Sequence, residues 1–308
     1  MRFGSELDGA SVLVTGGAGF IGGHIADTLA DHASVTVLDD FSTGAKTTVP
    51  PSCDVVEADI RDADAVAAAV EGCDVVFHEA AVVDVSQSVE TPIPCHDVNV
   101  DGTLNVLEAA RTHDARVVVA SSAAIYGPPT STPIEESEPT DPMSPYGIDK
   151  LAIDHYTRCY HDLYGVDTVA LRYFNAYGPG QSAGAYSGVI DAFFEQARAG
   201  EALTVYGDGE QTRDFVHVED IVQANLLAAT TDDVGEAYNV GTGTSVTIRE
   251  LAEEVKAAVG SESPIVHTDP REGDIRHSRA DVARANRKLG YEPTVSLGDG
   301  LATLVGDW

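Results

Sequence analysis

The sequence predicts an α/β protein built on a doubly wound parallel sheet, followed by a smaller mixed α/β region. Three observations support this prediction. Short apolar runs without polar alternation recur through the first half of the chain, segments with helical spacing separate them, and a glycine-rich turn follows the first run. Strands that are apolar on both faces are typical of parallel sheets covered by helices on both sides. Their alternation with helices indicates a doubly wound sheet.

Six short apolar runs, all containing Val, are predicted to form the strands of the main sheet. They lie at residues 11–15, 35–39, 53–57, 74–78, 116–121 and 167–172. The segments between these runs have helical spacing and are predicted to cover the sheet. They span residues 21–31, 62–71 and about 97–112, and a fourth begins near Ser144.

After Asn175 the alternation of strands and helices loosens. Residues 177–186 are rich in turn formers, and the predicted elements that follow are a helix at 189–199, a strand at 203–206 and helices at 219–230 and 248–259. This change predicts two domains. The first spans residues 1–175 and the smaller one spans residues 176–308, with part of about 213–235 packing back onto the first domain.

Acidic residues dominate the charge of the chain. Asp and Glu total 50 against 18 Lys and Arg, and the formal net charge is −32. Binding to phosphates needs a basic patch, so we expect no nucleic-acid partner and no membrane binding. The acids are spread along the whole chain, which suits a high-salt cytoplasm and predicts a halophilic source. An ordinary acidic protein would share this composition.

The sequence predicts a cytoplasmic protein without a structural metal. The N-terminus shows no apolar signal core, and no apolar run approaches the ~20 residues of a membrane helix. The four cysteines are scattered, without a Cys-x-x-Cys pair, and are predicted to be free thiols. His78 and Glu79 are adjacent, but no His-Glu-x-x-His motif follows.

A glycine-rich turn follows the first predicted strand and opens the first predicted helix. It reads GGAGFIG over residues 16–22. Glycines let backbone N–H groups approach a pyrophosphate, and the helix N-terminus contributes the positive end of its dipole. Strand, turn and helix come in the order of a dinucleotide site. The predicted cofactor contacts in this segment are Gly16, Gly19, Phe20, Ile21 and Gly22.

Acidic residues at the end of the second predicted strand indicate which dinucleotide binds. Asp39 ends the second predicted strand, 23 residues after Gly16. A carboxylate there accepts hydrogen bonds from the adenosine ribose and repels a 2′-phosphate, which favours NAD over NADP. Asp40 adds to this repulsion or is simply a solvated acid. Asp59 and Ile60, just after the third strand, are expected to meet the adenine, or either could cap a helix.

Tyr146 and Lys150 are four residues apart and would lie on one face of the helix that begins near Ser144. A phenol with a pKa of about 10 is too weak a base at neutral pH. The positive charge of the Lys150 ammonium is expected to lower the pKa of Tyr146. Ser121 and Ser122 end the fifth predicted strand, at the sheet edge that faces the cofactor. A serine hydroxyl there can hydrogen-bond a reacting oxygen.

Together the motifs resemble those of the extended short-chain dehydrogenase/reductase family, in family order from about Ser11 to about Leu289. The segments that carry the resemblance are TGGAGFIG, VLDDFSTG, ASSAAIYG, SPYGIDK, LRYFNAYGPG, GDGEQTRDFVHVEDI, YNVGTG and PREGDIRHSRAD. Within the family the chain is most similar to nucleotide-sugar epimerases and dehydratases, UDP-glucose 4-epimerases in particular. The resemblance implies a Rossmann domain that binds NAD, a UDP-sugar substrate and a homodimer. It implies inversion of C4 of UDP-glucose or UDP-galactose, and of their N-acetyl forms, through a transient 4-keto sugar.

The resemblance also implies the role of each site residue by its position. Tyr146 is the general base and acid, Lys150 binds the nicotinamide ribose, and Ser122 is the hydrogen-bonding serine, with Ser121 as the neighbour that could be confused with it. The three glycines hold the pyrophosphate and Asp39 holds the adenosine ribose. The remaining cofactor contacts are Ala80, Ala81 and Asn99. The substrate contacts are Ser122, Asn175, Tyr206, Arg213, Arg271 and Ser278.

Several of these assignments have alternatives. The arginines could form surface ion pairs, Tyr206 could be a packing residue, and Ser278 could merely start a turn. The acidic pair with which related dehydratases expel water is replaced by Ala123 and Ala124, which argues against dehydration. Another nucleotide-sugar epimerase or dehydratase is the main alternative function. A non-catalytic NAD-binding protein is the other, although such proteins usually lose the Tyr or the Lys.

Overall fold

Parallel strands from both halves of the chain form the main sheet, and smaller two-stranded sheets accompany it. The computed structural model describes residues 5–181, 188–271 and 273–306. The strands are β1 (Ser11–Thr15), β2 (Ser34–Asp39), β3 (Asp54–Glu57), β4 (Val75–His78), β5 (Arg116–Ser122), β6 (Thr168–Tyr173), β7 (Asn175–Tyr177), β8 (Leu203–Tyr206), β9 (Thr212–Arg213), β10 (Phe215–His217), β11 (Glu236–Val240), β12 (Val246–Thr247) and β13 (Ile265–Thr268).

The helices cover both faces of the main sheet and build most of the second region. They are α1 (Phe20–Leu29), α2 (Ala63–Val70), α3 (Val85–Glu90), α4 (Pro92–His96), α5 (Gly102–His113), α6 (Pro145–Tyr164), α7 (Val189–Ala199), α8 (Val218–Thr230), α9 (Ile248–Val259), α10 (Ala283–Leu289) and α11 (Leu297–Leu304). None of the described helices combines the length and the apolar character that crossing a membrane requires.

The strand order of the main sheet places a ligand crevice at its centre. The order is β3-β2-β1-β4-β5-β6-β11, and every pairing is parallel. From β1 the chain moves outward to β3 and then returns to β4 on the other side of β1. Ligands of such sheets bind outside the carboxyl ends of the strands at this switch point. The predicted doubly wound α/β fold is confirmed.

The apolar strands bury their side chains on both faces of the sheet. One layer joins β1, β4 and β6 to α1 and α8, with Val14, Phe77 and Leu171 fully buried. The opposite layer joins the sheet to α2, α5 and α6, with Leu13 and Val119 fully buried. Continuous apolar runs are needed because neither face meets water.

The second region has its own apolar core, formed by α7, α9, α11 and β8. α8, β11 as the seventh strand of the main sheet, and Leu289 at the end of α10 pack against the first part of the chain. The division into two domains stays a prediction. The chain therefore crosses between the two regions more than once before it ends.

Two parts of the fold differ from the predicted elements. β11 was not predicted, because Glu236 and Asn239 interrupt its apolar residues, so that no continuous apolar run marks the strand, although Asn239 is fully buried. The predicted helix 97–112 begins only at Gly102 as an α-helix, and α3, α4 and a π-helical turn at Asp97–Asp101 precede it.

Candidate active site

The glycine turn after β1 forms a cradle in which only glycine fits. Gly16 has a φ of +68°, and a Cβ on it would lie 2.6 Å from the backbone nitrogen of Ala80. A Cβ on Gly22 would lie 2.3 Å from the Gly16 carbonyl oxygen. Gly19 is the N-cap of α1 and has no side chain that could accept hydrogen bonds from the first N–H groups of this helix. Those N–H groups can therefore bind an anion. Phe20 and Ile21 form the first turn of α1. This geometry fits a dinucleotide pyrophosphate.

Asp39, at the end of β2, is fixed against this cradle. Its carboxylate accepts hydrogen bonds from the backbone nitrogens of Ala18 at 2.9 Å and Phe41 at 2.8 Å. A carboxylate can accept about four hydrogen bonds, so two acceptor positions remain for ribose hydroxyls. The neighbouring Asp40 is exposed and accepts from Ser42, as a solvated acid does.

Asp59 and Ile60 follow β3, and neither of them caps a helix. The carboxylate of Asp59 pairs with Arg61, whose hydrogen bond and charge lower the pKa of Asp59 despite partial burial. Asp62 is the residue that caps α2. Ile60 is buried against Gly102, where any Cβ would clash with it. The predicted alternative, a capping role for either residue, is therefore wrong.

Ala80 and Ala81 follow β4 and border the glycine turn. The side-chain amide of Asn99 holds this segment through both backbone groups of Val82, at 2.8 and 3.0 Å. Asn99 is buried and lies in the π-helical turn that precedes α5. Single π-helical turns inside helices are frequently found at functional sites. The turn places Asn99 beside the predicted cofactor cleft.

A chain of buried hydroxyl and imidazole groups lies under the cleft and was not predicted from the sequence. His78 Nδ1 is 2.7 Å from Thr15 Oγ1, and His78 Nε2 is 2.9 Å from Thr103 Oγ1. Burial, with a smaller effect of the Lys150 charge, lowers the pKa of His78 to about 3. The imidazole is therefore neutral at physiological pH and ties β1, β4 and α5 together.

The helix α6 carries the proposed catalytic pair. Ser144 caps this helix by accepting from the backbone nitrogen of Gly147 at 3.1 Å, and Pro145 occupies the first helical position. Lys150 is buried, and its Nζ donates to the Ala120 carbonyl oxygen on β5 at 2.7 Å. The same ammonium lies 5.9 Å from the centre of the Tyr146 ring. The two side chains thus share one face of α6 beside the end of β5.

The side chains of Ser121 and Ser122 have different hydrogen-bond partners. Ser121 is buried and donates to Asp154, whose carboxylate also forms a two-pronged pair with Arg172. The oxygen of Ser122 accepts from the backbone nitrogen of Ala124 at 3.1 Å and is hydrogen-bonded to Tyr146. Ser122 is therefore the serine that the structure places beside the phenol, and Ser121 belongs to a buried structural network.

The pKa of Tyr146 is raised above its usual value, contrary to the expectation from the sequence. Burial raises the pKa because it removes the phenolate from water, and the hydrogen bond with Ser122 lowers it by less. The Lys150 ammonium was expected to dominate, but it is directed at the Ala120 carbonyl instead. The side chains of the protein alone do not make Tyr146 a strong base at neutral pH.

Glu79 directly follows β4 and was considered from the sequence only as half of a missing metal motif. Its Oε1 accepts from the Tyr173 hydroxyl at 2.8 Å, and that hydroxyl accepts from Asn225 Nδ2 at 2.8 Å. Burial raises the pKa of Glu79 to about 7, against the effects of Tyr173 and Lys150. Burial lowers the pKa of Lys150 to about 8, against the effects of Glu79 and Asp149.

Asn175 contacts the segment that directly follows Arg213 in the sequence. β7 pairs with β10, and the Asn175 amide donates to the Asp214 carbonyl oxygen at 2.9 Å. Arg213 is largely buried, forms an ion pair with Asp274, and donates to the Thr212 carbonyl oxygen. Burial lowers the pKa of Arg213, and an arginine side chain stays charged in proteins. The guanidinium is thus held in place rather than free on the surface.

Arg271, Tyr206 and Ser278 complete the predicted substrate contacts. The Arg271 guanidinium lies over the Tyr206 ring at 4.0 Å from its centre, and both side chains are exposed. Ser278 is buried, and its backbone nitrogen donates to the Thr212 carbonyl oxygen, next to Arg213. A cavity of about 340 Å³ opens beside Arg213, and residues from the 242–246 and 293–297 segments line it.

Among the residues that the structure describes, no three His, Cys, Asp or Glu side chains come together as metal ligands would. All four cysteines are free thiols: Cys95 is buried, Cys159 is exposed, and the other two are partly buried. The candidate site consists of the glycine cradle, the Ser122–Tyr146–Lys150 group and the side of the second region that carries Arg213 and Arg271.

Comparison with known proteins identifies relatives along nearly the whole chain. The sequence model of the NAD dependent epimerase/dehydratase family matches residues 12–241. A UDP-glucose 4-epimerase of Mycolicibacterium smegmatis is 39% identical over 302 residues, 95% of this chain and 96% of that protein. A UDP-N-acetyl-alpha-D-glucosaminuronate decarboxylase of Bacillus cytotoxicus is 34% identical over 309 residues, 94% of each chain. The structure of UDP-N-acetylglucosamine 4-epimerase from Methanobrevibacter ruminantium M1, in complex with UDP-N-acetylmuramic acid, has a TM-score of 0.93 at 36% identity and covers 97% of both chains.

Proposed function

Because the chain belongs to the NAD dependent epimerase/dehydratase family, we propose that it is an epimerase that inverts C4 of a UDP-hexose. The family and its cofactor, NAD, are those predicted from the sequence, and both predictions are confirmed at that level. One observation carries the finer proposal. Ser122, Tyr146 and Lys150 meet at the cofactor edge of the sheet, and the residues after Ser122 are two alanines instead of acids.

Each of the three side chains has a separate task in this reaction. Tyr146 removes the proton from the sugar 4-hydroxyl and later returns it, while Ser122 holds the same oxygen by a hydrogen bond. Bound NAD supplies the hydride chemistry at C4, so that the sugar passes through a 4-keto form. Lys150 binds the nicotinamide ribose. Its ammonium is directed at the Ala120 carbonyl oxygen, so the positive charge that offsets the effect of burial on the pKa of Tyr146 would come from the bound cofactor.

The second region anchors the nucleotide while the sugar turns. Arg213 and Arg271 carry guanidinium groups, whose two-pronged donors suit a diphosphate, and Asn175 is hydrogen-bonded to Asp214, the residue after Arg213. Tyr206 presents an exposed ring where an aromatic side chain would stack on uracil. Inversion requires the keto sugar to show its opposite face to the nicotinamide. A firmly held nucleotide and a loosely held sugar permit this, since the binding energy comes from groups remote from the reacting carbon.

The alanine pair distinguishes epimerisation from dehydration. Ala123 and Ala124 begin a short 3₁₀ turn directly after Ser122. A dehydratase needs a carboxyl group at these positions to expel water, and neither alanine can supply one. The family includes other reactions, and the relative from Bacillus cytotoxicus is named a decarboxylase. Loss of CO₂ requires a uronic acid substrate, so substrate trials separate that activity from epimerisation.

The size of Ser278 supports a broad sugar specificity. We propose that the pocket admits UDP-N-acetylhexosamines as well as UDP-glucose and UDP-galactose, because a small residue leaves room for a C2 substituent. The similarity to a UDP-N-acetylglucosamine 4-epimerase supports this extension. Ser278 is buried next to the Arg213 strand, so a larger side chain at this position would have to enter the adjoining space.

Interconversion of UDP-glucose and UDP-galactose in the presence of NAD tests the function directly. Replacement of Tyr146 by Phe removes only the phenolic oxygen, and we expect turnover to fall at least ~100-fold while NAD still binds. The matched control is Tyr156→Phe on the exposed face of the same helix, which should keep wild-type turnover. Equal activity of Tyr146→Phe and wild type would contradict the assigned base, and mass spectrometry of co-purifying ligands would then identify the true substrate.

A further inference from the structure

Two hydrogen bonds join the proposed catalytic pair to the end of β5. Lys150 Nζ donates to the Ala120 carbonyl oxygen at 2.7 Å, and Tyr146 is hydrogen-bonded to the Ser122 side chain. Ser121 is the residue between these two contacts. A movement of the Ser121 backbone would therefore shift both the acceptor of the Lys150 ammonium and the hydroxyl group beside Tyr146. The geometry of the catalytic group depends on how Ser121 is held.

The side chain of Ser121 is tied to the same helix that carries the catalytic pair. Its hydroxyl donates to Asp154 Oδ2 at 3.1 Å, and both residues are buried. Asp154 lies four residues after Lys150 and eight after Tyr146 on α6. At this spacing the three side chains share one face of the helix. α6 thus contacts three successive residues of β5, and the middle contact uses no group that takes part in the proposed reaction.

Arg172 on β6 fixes the Asp154 carboxylate from the neighbouring strand. Its Nε donates to Asp154 Oδ2 at 2.8 Å, and its Nη2 donates to Oδ1 at 2.9 Å. In the register of the sheet, Arg172 lies directly opposite Ser121. Its Nη1 donates to the Tyr126 hydroxyl and to the Glu136 carbonyl oxygen, both at 2.9 Å. The guanidinium therefore holds the carboxylate at a defined place between β5, β6 and α6.

This buried ion pair is better explained by geometry than by stability. The side chains of Asp154 and Arg172 are 0% and 5% exposed. Burial raises the pKa of Asp154, but the hydrogen bonds and charge of Arg172, with the charge of Arg158, lower it by more, so the carboxylate stays ionised. Apolar residues of similar volume are often at least as stabilising as a buried ion pair. Directional hydrogen bonds, in contrast, fix the positions of their partners.

We propose that Ser121 and Asp154 are positioning residues, which set the end of β5 against α6 and so fix the geometry of the catalytic group. Neither residue touches the reacting atoms in this role. The proposal rests on the proposed function, because it concerns the arrangement of the groups that carry out that reaction. A misplacement of about 1 Å at a catalytic group can lower the rate ~100-fold.

Ser121→Ala tests the link and leaves the ion pair complete. The variant removes only the serine hydroxyl, while Arg172 and Arg158 still donate to the Asp154 carboxylate. We expect kcat with UDP-galactose to fall at least about tenfold, because the catalytic group is misplaced. KM and the affinity for NAD should stay within about twofold of wild type, since no binding group is removed. Ser121→Thr keeps the hydroxyl and should recover most of kcat.

Thr168→Val is the matched control for a loss of stability. Thr168 is fully buried at the start of β6, and its hydroxyl donates to the Thr157 carbonyl oxygen on α6 at 2.6 Å. The variant removes a buried hydrogen bond between a strand and the same helix, about three turns from Tyr146. It should lower the Tm while kcat stays at the wild-type value. Equal losses of kcat in Ser121→Ala and Thr168→Val would overturn the proposal.

A readout without turnover separates this proposal from the proposed function. The chain has four lysines, so protein labelled with ¹³C at the lysine ε carbons gives four NMR signals, and the spectrum of Lys150→Met identifies the one from Lys150. In Ser121→Ala this signal should shift or broaden, because the ammonium loses its fixed acceptor, whereas Thr168→Val should leave it unchanged.

An unchanged Lys150 signal in Ser121→Ala would overturn the proposal, and so would a wild-type kcat in this variant. If the signal changes but wild type turns over no UDP-sugar, the proposed function fails, while the link from Asp154 through Ser121 to the end of β5 stands.

Discussion

At the scale of single residues, we propose that Asp39 selects between the two nicotinamide cofactors. The backbone nitrogens of Ala18 and Phe41 fix its carboxylate, so it cannot swing away from an added charge. A 2′-phosphate at that point would meet a buried negative group. Like charges ~4 Å apart repel by about 4 kcal/mol at an effective dielectric constant of 20. This repulsion favours NAD.

We therefore expect wild type to bind NAD much more tightly than NADP, and Asp39→Asn to raise the NADP-to-NAD affinity ratio at least about tenfold. Calorimetric titration of the cofactor-free protein with both dinucleotides measures this ratio. Asp40→Asn is the control, because the Asp40 side chain is exposed and accepts from Ser42, so its ratio should stay near that of wild type. Equal affinities of wild type for the two cofactors would refute the assignment.

Ser278 allows a second residue-scale prediction. Ser278→Tyr would place a large ring beside the arginine side of the site, where it should crowd an N-acetyl group at C2. We expect the rate of UDP-N-acetylglucosamine epimerisation to fall at least about tenfold relative to the rate with UDP-galactose. Binding pockets commonly discriminate by this factor between substrates that differ in one small group. Ser278→Ala preserves the small size and should keep both activities. A variant in which both sugars suffer equally would show that Ser278 is not the residue that selects between them.

Sequence reasoning found the proposed catalytic group because its pattern is local. Tyr146 and Lys150 lie four residues apart on one helix, and Ser122 ends a strand with a clear apolar run. The direction of the Lys150 ammonium and the hydrogen bonds of Glu79 depend on groups that fold in from other elements, namely Ala120, Tyr173 and Asn225. No spacing along the chain reveals such contacts, and therefore they could not be predicted.

At the scale of elements, α6 has two faces with different properties. Its inner face carries Lys150 and other buried residues, and its outer face exposes Ile148, Tyr156 and Leu163. The helices α3 and α4 pack beside α6 and expose Val89 and Ile93, the latter by 73%. Apolar side chains grouped in this way are unusual on the surface of a highly acidic monomer. We propose that a second copy of the chain covers this face in a homodimer.

Single charges on this face should break the proposed dimer. We expect Leu163→Glu and Ile93→Glu to convert a dimer of wild type into monomers, because burying an unpaired carboxylate at an interface is costly. Light scattering coupled to size-exclusion chromatography measures the mass. The control is Val266→Glu, an exposed apolar residue in β13, far from these helices in the sequence. A monomeric wild type, or variants that remain dimeric, would contradict the proposal.

The elements themselves were predictable to different degrees. The first six strands of the main sheet have apolar runs that identify them, and the structure places a strand at each. β11 could not be identified, because the side chain of buried Asn239 finds its partners, Tyr126 and the carbonyls of Ile134 and Asp281, in distant parts of the chain. The helices α3 and α4 are too short to show a helical apolar period, and α4 contains Pro92 and Pro94. The strands and helices that have no clear local pattern therefore form because of tertiary contacts.

At the scale of the whole molecule, the acidic surface is the dominant electrostatic feature. The net charge is −32 over 308 residues, and several of the ion pairs are formed by exposed side chains, such as Lys288 with Asp233. Exposed pairs of this kind contribute little to stability. The many remaining carboxylates repel one another, and this repulsion acts against the compact state in dilute buffer.

Salt should therefore stabilise the protein. The Debye length falls from ~10 Å at 0.1 M salt to ~3 Å at 1 M, which screens repulsion between surface carboxylates. We expect the Tm, measured by circular dichroism, to rise steadily from 0.1 M to molar KCl. A triple variant that neutralises the exposed acids Asp31, Asp232 and Glu262 as amides should start from a higher Tm and gain less from salt. The comparison separates charge screening from the general strengthening of apolar burial by salt, since both proteins share the same core. Equal slopes for the two proteins, or a Tm that does not change with KCl, would remove the argument for adaptation to high salt.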